Sequence, residues 1–178
     1  MSNSKNNDCY NVRTGKIEDA EAILDIQKSI VSEGQFLISV LEEFNKTSSQ
    51  QKEWVQGILE NENETLFVAE KDGEVVGWIV FETTKNRKRL SHTGSFGILI
   101  RKGYRELGIG KMLLKTLLEW AENNPFIEKV SLGVFSTNHK AIALYKKMGF
   151  IEEGRKFKEF KFNENEYVDD ILMYKLVK

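Results

Sequence analysis

The sequence predicts a mixed α/β fold, a mixed sheet of about seven strands with about four helices on its faces. Three observations predict it. Apolar residues recur at helical spacing in four segments, β-branched and aromatic runs fill seven others, and the two kinds alternate in the order β-α-α-β-β-β-α-β-α-β-β. The 178 residues suit one domain, and 40% hydrophobic with 30% charged residues is a globular balance.

Residues 1–9 (MSNSKNNDC) are polar and aperiodic and are expected as a disordered tail, with a single domain over 10–178. Tyr10 to Arg13 suits a short strand. Ile17 to Val31 carries Ile17, Ala20, Ile23, Leu24, Ile26 and Ile30 near helical spacing. Ser32 to Lys46 fits either another helical turn or a mobile cover. Thr47, Ser48 and Ser49 are N-cap types ahead of a helix with Trp54, Val55, Ile58 and Leu59. Thr65–Lys71 and Glu74–Thr84 read as strands, and Asp72-Gly73 between them signals a hairpin. Lys85 to Arg89 reads as a solvated basic loop and His92 to Ile100 as a strand. Gly108 to Glu122 is a helix with Leu113, Leu114, Leu117 and Leu118 on its apolar face and Pro125 beyond its end. Glu128 to Phe135 is a strand, and Asn138 to Met148 a helix capped by Asn138 and stopped by Gly149. Phe150–Phe162 and Tyr167–Val177 close the chain as a hairpin.

Composition excludes several functions. Lys and Arg total 26 against 27 Asp and Glu, a net charge of −1, so no nucleic-acid partner is expected. No apolar run approaches the ~20 residues of a membrane span, and the N-terminus lacks an apolar signal segment. One cysteine permits no internal disulfide and fits a reducing compartment, so a cytoplasmic protein without a membrane partner is expected. Two histidines and one cysteine, far apart, make no metal-ligand cluster, and no metal is expected. Gly94-Ser95-Phe96-Gly97 is not the G-x-S-x-G of a nucleophile elbow.

Gly94, Gly97, Gly103, Gly108 and Gly110 crowd one stretch. From Ile98 to Lys111 the pattern is strand, glycine-rich turn, helix. The first turn of a helix has N–H groups without intrahelical partners, its dipole favours anions, and glycines let a phosphate approach the backbone. Gly103 and Gly108 have the spacing of a P-loop, but Ile109-Gly110 stand where Lys-Ser/Thr belong. Gly108-Ile109-Gly110 begins a dinucleotide fingerprint, but Leu113 replaces its third small residue.

Arg105-Glu106-Leu107-Gly108-Ile109-Gly110 resembles [RQ]-x-x-G-x-[GA], the acetyl-CoA pyrophosphate motif of the GNAT superfamily of N-acetyltransferases. Asn138 to Phe150 resembles the family's N-x-x-A-x-x-L-Y-x-x-x-G-F, and the resemblance covers roughly residues 10–177. Gly154, Tyr167, Asp169 and Met173 look like the branch that acetylates small molecules and amino acids.

The resemblance implies a site. A splayed parallel strand pair, His92–Ile100 and Glu128–Phe135, would hold the pantetheine arm of acetyl-CoA, with backbone groups of Ile98, Leu99 and Ile100 on its amides. The N–H groups of Glu106, Leu107, Gly108, Ile109, Gly110 and Lys111 would cradle the pyrophosphate, with Arg105 adding charge and Lys111 or Lys140 near the 3′-phosphate. Asn138 and Ala141 would touch the cofactor, and Tyr145 would protonate the leaving sulfur. An N–H near Ile98 or Leu99 would serve the developing oxyanion. His92, which can titrate near neutrality, is the candidate base, with Glu33 and Glu82 as carboxylate alternatives or a water chain in their place. The partner implied is a small amine acceptor, and dimers are common in the family. Rival readings are acetylation of a protein N-terminus or lysine, and a non-catalytic acyl-CoA sensor.

Overall fold

The computed structural model describes residues 9–178. Residues 1–8 of the expected tail lie outside the described residues, and Cys9 at its edge is exposed. The strands are β1 (Asn11–Thr14), β2 (Thr65–Lys71), β3 (Glu74–Thr83), β4 (Thr93–Ile100), β5 (Lys129–Phe135), β6 (Ile151–Asn163) and β7 (Glu166–Leu176). The helices are α1 (Ala20–Glu33), α2 (Ser48–Leu59), α3 (Ile109–Asn123) and α4 (His139–Lys147). All seven strands form one sheet in the order β1-β2-β3-β4-β5-β7-β6. Every neighbouring pair is antiparallel except β4 and β5.

Local chemistry sets the element ends. Asp72 and Gly73 both have positive φ, 51° and 82°, as a two-residue type I′ hairpin requires. Thr47 Oγ1 accepts from Gln50 N at 3.2 Å while Gln50 Oε1 accepts from Thr47 N at 2.9 Å, a reciprocal cap that starts α2. The first expected helix begins as a 3₁₀ turn, Ile17–Asp19, before α1 proper. Asp19 tightens that turn by accepting from Lys16 N at 2.8 Å and from both Arg13 NH groups at 2.8 and 2.9 Å.

Helices pack on both faces. On one, Leu113, Leu114 and Leu117 of α3 bury against Phe81, Val130 and Met173. On the other, Ile23 and Ile26 of α1 and Val55 and Ile58 of α2 cover Leu66, Val68 and Val80. Between α1 and α2 the chain is irregular apart from a 3₁₀ turn at Leu41–Glu43. Phe36 and Leu37 pack inward, whereas Ile38 is 72% exposed, so this stretch has no continuous apolar stripe to fold a helix onto. Lys85 to Arg89 is a loop running into a 3₁₀ turn at Lys88–Leu90. Among the described residues no helix is long and apolar enough to cross a membrane.

Candidate active site

Parallel pairing of β4 with β5 is brief: Thr93 opposes Lys129, Gly94 opposes Val130, Ser95 opposes Ser131, and there it stops. Beyond that point β4 follows β3, with Phe81 opposite Phe96 through Gly77 opposite Ile100, while β5 follows β7 out to Phe135 opposite Asp170. The strands therefore diverge, and alternate backbone groups of β4 from Phe96 to Ile100 face the gap without a strand partner. A cavity of about 500 Å³ fills the gap. Its walls include Gly97, Ile98 and Leu99 from β4 and Leu132 to Phe135 from β5. Small residues keep it open: Gly97 and Gly133 stand on the two facing strands, and a Cβ on Gly133 would meet Asp170 Oδ1 at 2.9 Å.

Side-chain alternation along the strands gives the cavity two ends. Phe96, Ile98 and Ile100 of β4 and Leu132 and Val134 of β5 pack toward α3 and α4. Leu99, like Phe36 and Leu37 of the α1–α2 connection, packs on the cluster that holds Ile23 and Ile26 of α1. Asp170 stands opposite Phe135 on the same face of the sheet.

At the α4 end, Asn138 Oδ1 accepts from Ala141 N at 3.3 Å and caps the helix. That cap places Tyr145 in the cavity wall, 7% exposed, with edge-on ring contacts to Phe96 and Phe150 at 5.6 and 6.1 Å. Burial pushes the Tyr145 phenol up to about 12, so it holds its proton throughout the neutral range. His139 is exposed.

The β4–α3 turn has left-handed backbone at Gly103 (φ 93°), Glu106 (φ 63°) and Gly108 (φ 84°). Alternating backbone handedness of this kind turns successive N–H groups toward one concavity. Met112 N–H bonds Gly108 O at 3.1 Å, which leaves the N–H groups of Ile109, Gly110 and Lys111 without partners inside α3. A Cβ on Gly110 would stand 3.3 Å from Ile100 Cδ1 and 3.4 Å from Leu144 Cδ2, so glycine brings this turn close to α4. Leu107 and Lys111 are exposed beside it, and Lys140 reaches back from α4 to Glu106 at 2.8 Å.

Arg105 is already engaged. Its two NH groups donate to Glu33 at 2.7 and 2.6 Å, its Nε donates to Ile100 O at 3.0 Å, and its guanidinium stacks on Phe36 at 5.3 Å. Its charge is thus matched by a carboxylate of α1, and the same hydrogen bonds hold the Glu33 carboxyl below its ordinary range. Glu82 likewise has a partner, accepting from Trp54 Nε1 at 3.1 Å. His92 is exposed, lies in the turn before β4, and takes no part in the cavity wall. Five residues of extended chain, roughly 16 Å, separate it from Gly97. The fold therefore brings together Ile98, Leu99, Asn138 and Tyr145, sets the Glu106–Lys111 turn at the foot of α4, and leaves His92 apart.

One cavity residue carries a charge that the sequence reading passed over. Asp170 is 9% exposed and is the one charged side chain among the described residues lining the cavity. The signal was an Asp-Asp pair inside the apolar run from Val168 to Met173: strand alternation sends one carboxylate to each face. Asp169 turns to Arg155 at 2.8 Å and to Lys158 N at 2.7 Å, and Asp170 turns to the cavity.

The comparisons agree with this geometry. Residues 32–150 match the model of the acetyltransferase (GNAT) family. Over 120 residues the chain is 32% identical to the L-amino acid N-acetyltransferase AaaT of Escherichia coli strain K12, covering 67% of this chain and 73% of that one. Over 153 residues it is 31% identical to an N-alpha-acetyltransferase of Sulfurisphaera tokodaii, covering 80% and 81%. A crystal structure of a GNAT-family acetyltransferase from Streptococcus pneumoniae superposes with a TM-score of 0.87 at 27% identity, covering 94% of this chain and 99% of that one. The chain belongs to the GNAT family of acetyltransferases.

Proposed function

We propose that this acetyltransferase modifies the primary amine of a small molecule, with amino acids among the candidates, by direct attack of the amine in a ternary complex. The observation that carries the reading is one cavity with two ends. Tyr145 and Asn138 line one, the α1–α2 connection and Asp170 line the other, and Gly97–Leu99 run between them. Acetyl-CoA supplies an activated thioester.

The residues present fit it. Free N–H groups from Glu106 to Lys111, with glycine at 108 and 110, suit a pyrophosphate. Lys111 and Lys140 stand near enough to that turn to meet a further phosphate. The backbone groups of Ile98 and the N–H of Ile100 point away from β3 and suit the amides of a pantetheine arm or, from the Ile98 N–H, the thioester oxygen as charge grows on it. Ala141, its N–H held by Asn138, sets the first turn of the helix that carries Tyr145. Tyr145 then gives its proton to the departing sulfur. No step is assigned to His92. The lone cysteine fits a reducing compartment and supports a cytoplasmic place, with residues 10–178 acting as one domain.

The experiment is free-thiol release from acetyl-CoA across amino acids, polyamines, aminoglycosides and peptides. Turnover with a small amine is expected. Turnover confined to peptides would make this a protein acetyltransferase, and binding without turnover would make it a sensor. The former has a footing in the Sulfurisphaera relative's name.

A further inference from the structure

Asp170 has no use in the cofactor half of the site. Its residue is 9% exposed, its carboxylate borders the cavity, and its one ion contact among the described residues is Lys156 Nζ at 3.7 Å, beyond hydrogen-bond reach. Lys156 is half exposed, approaches Glu159 at 3.4 Å as well, and does not line the cavity. A nearly buried carboxylate with unused acceptor capacity is costly unless a donor, preferably a cation, meets it. The cavity it borders is also lined by Phe36, Leu37, Trp78, Phe135 and Phe160, and no Lys, Arg or His lines it among the described residues.

We infer that Asp170 receives the ammonium of the acceptor, and that the acceptor is an amine on an apolar body with no free carboxylate beside its nitrogen. The inference rests on reading this cavity as the acceptor end of the enzyme, and it narrows that reading. Asp170 attracts the cation. A carboxylate on the neighbouring carbon would be drawn into the same apolar walls beside Asp170 with no positive group lining the cavity to offset it, and like charges held close in a poorly hydrated site repel strongly. Two sources share the favoured chemistry: simple arylalkyl or alkyl amines, and amines whose neighbouring carboxyl is tied up in an amide. Phe135 and Phe160, with ring centroids 4.6 Å apart, flank Asp170 on its face of the sheet and suit an apolar or aromatic body.

The test uses matched sets: phenethylamine, phenylalaninamide, phenylalanine and a tetrapeptide beginning with phenylalanine, and the same four forms built on leucine and tryptophan. Each is measured for thiol release from acetyl-CoA and, separately, for binding to the enzyme saturated with coenzyme A by calorimetry. The amine or the amide in a set should exceed the free amino acid by at least about tenfold in kcat/KM or affinity. Preference for the tetrapeptide over the small amide would place the source in peptides, and the reverse would place it in small molecules. Asp170→Asn should lose about 10- to 100-fold in affinity for the preferred amine. Its affinity for acetyl-CoA should not change, which also shows that the variant is folded. Acetyl-CoA binding is the readout that tells failure of this inference from failure of the enzyme reading. Equal use of acid and amide, no loss in Asp170→Asn, or no binding by any compound overturns the inference. So does a preference for the free amino acid that disappears in Lys156→Ala, because Lys156 would then be the missing cation.

Discussion

At the scale of single residues, the proposed chemistry turns on one phenol and one absent side chain. Burial drives Tyr145 up to about 12, which suits a proton donor and excludes a base at neutral pH. Tyr145→Phe should lower kcat by about 10²- to 10⁴-fold, the usual share of a general acid, while calorimetry shows acetyl-CoA binding intact. Gly110 contributes by lacking a Cβ: Ile100 and Leu144 already stand 3.3 and 3.4 Å from where one would be. Gly110→Lys should abolish acetyl-CoA binding in a calorimetric titration, and normal binding would show that this turn does not hold the pyrophosphate.

At the scale of elements, the Glu33–Arg105 pair ties the end of α1 to the β4–α3 turn, and the stacking of Arg105 on Phe36 extends that tie into the cavity wall. The α1–α2 connection and the β4–α3 turn are thus mechanically joined. Glu33 is held below its ordinary value by the hydrogen bonds from Arg105, so the pair contributes stability that is present above the unfolded value of about 4.5 and lost as pH falls through the lower folded value. Glu33→Gln should cost about 1 kcal/mol at pH 7, discounted for partial exposure. Its urea midpoint should converge with that of the parent protein below about pH 4.5. The α1–α2 connection places Phe36 to Ser39 in the cavity. Exchange of residues 32–46 for the equivalent stretch of another family member should change which amines are used and leave acetyl-CoA affinity within a few-fold, read from thiol-release kinetics.

At the scale of the whole molecule, the sheet is a continuous support on which one interruption has been made. Parallel pairing lasts three residues on β4, and the cavity occupies the place of the missing ladder. Tyr145 links that site to global stability. Its value rises from about 10 in the unfolded chain to about 12 in the fold, so its contribution is complete below about pH 10 and is lost as pH climbs through 12. Urea midpoints of the parent protein should fall from pH 9 to pH 11.5 more steeply than those of Tyr145→Phe. A parallel fall in both proteins would mean that the phenol is not buried as the structure places it.

The sequence by itself determined the elements and their order, because those depend on short-range physics. The period of apolar residues selects helix or strand, Asp72-Gly73 selects the hairpin, Thr47 and Asn138 cap their helices, and glycines at 108 and 110 mark a turn open to a phosphate. Even the misplaced start of α1 was a local matter, moved three residues by the carboxylate of Asp19. The tertiary structure alone decided the rest, because it concerns residues far apart in the chain. Arg105 looked free to meet a phosphate, yet α1 brings Glu33 to it across 72 positions. His92 looked close to the chemistry because it adjoins β4, but the strands diverge at the other end. Asp170 was indistinguishable from Asp169 until β5 and β7 paired in a register that sets Phe135 opposite it and leaves its carboxylate in the gap. Pattern fixes which face a side chain takes within its own strand; only the packing of strands and helices determines what stands across from that face, and here it is the cavity between β4 and β5.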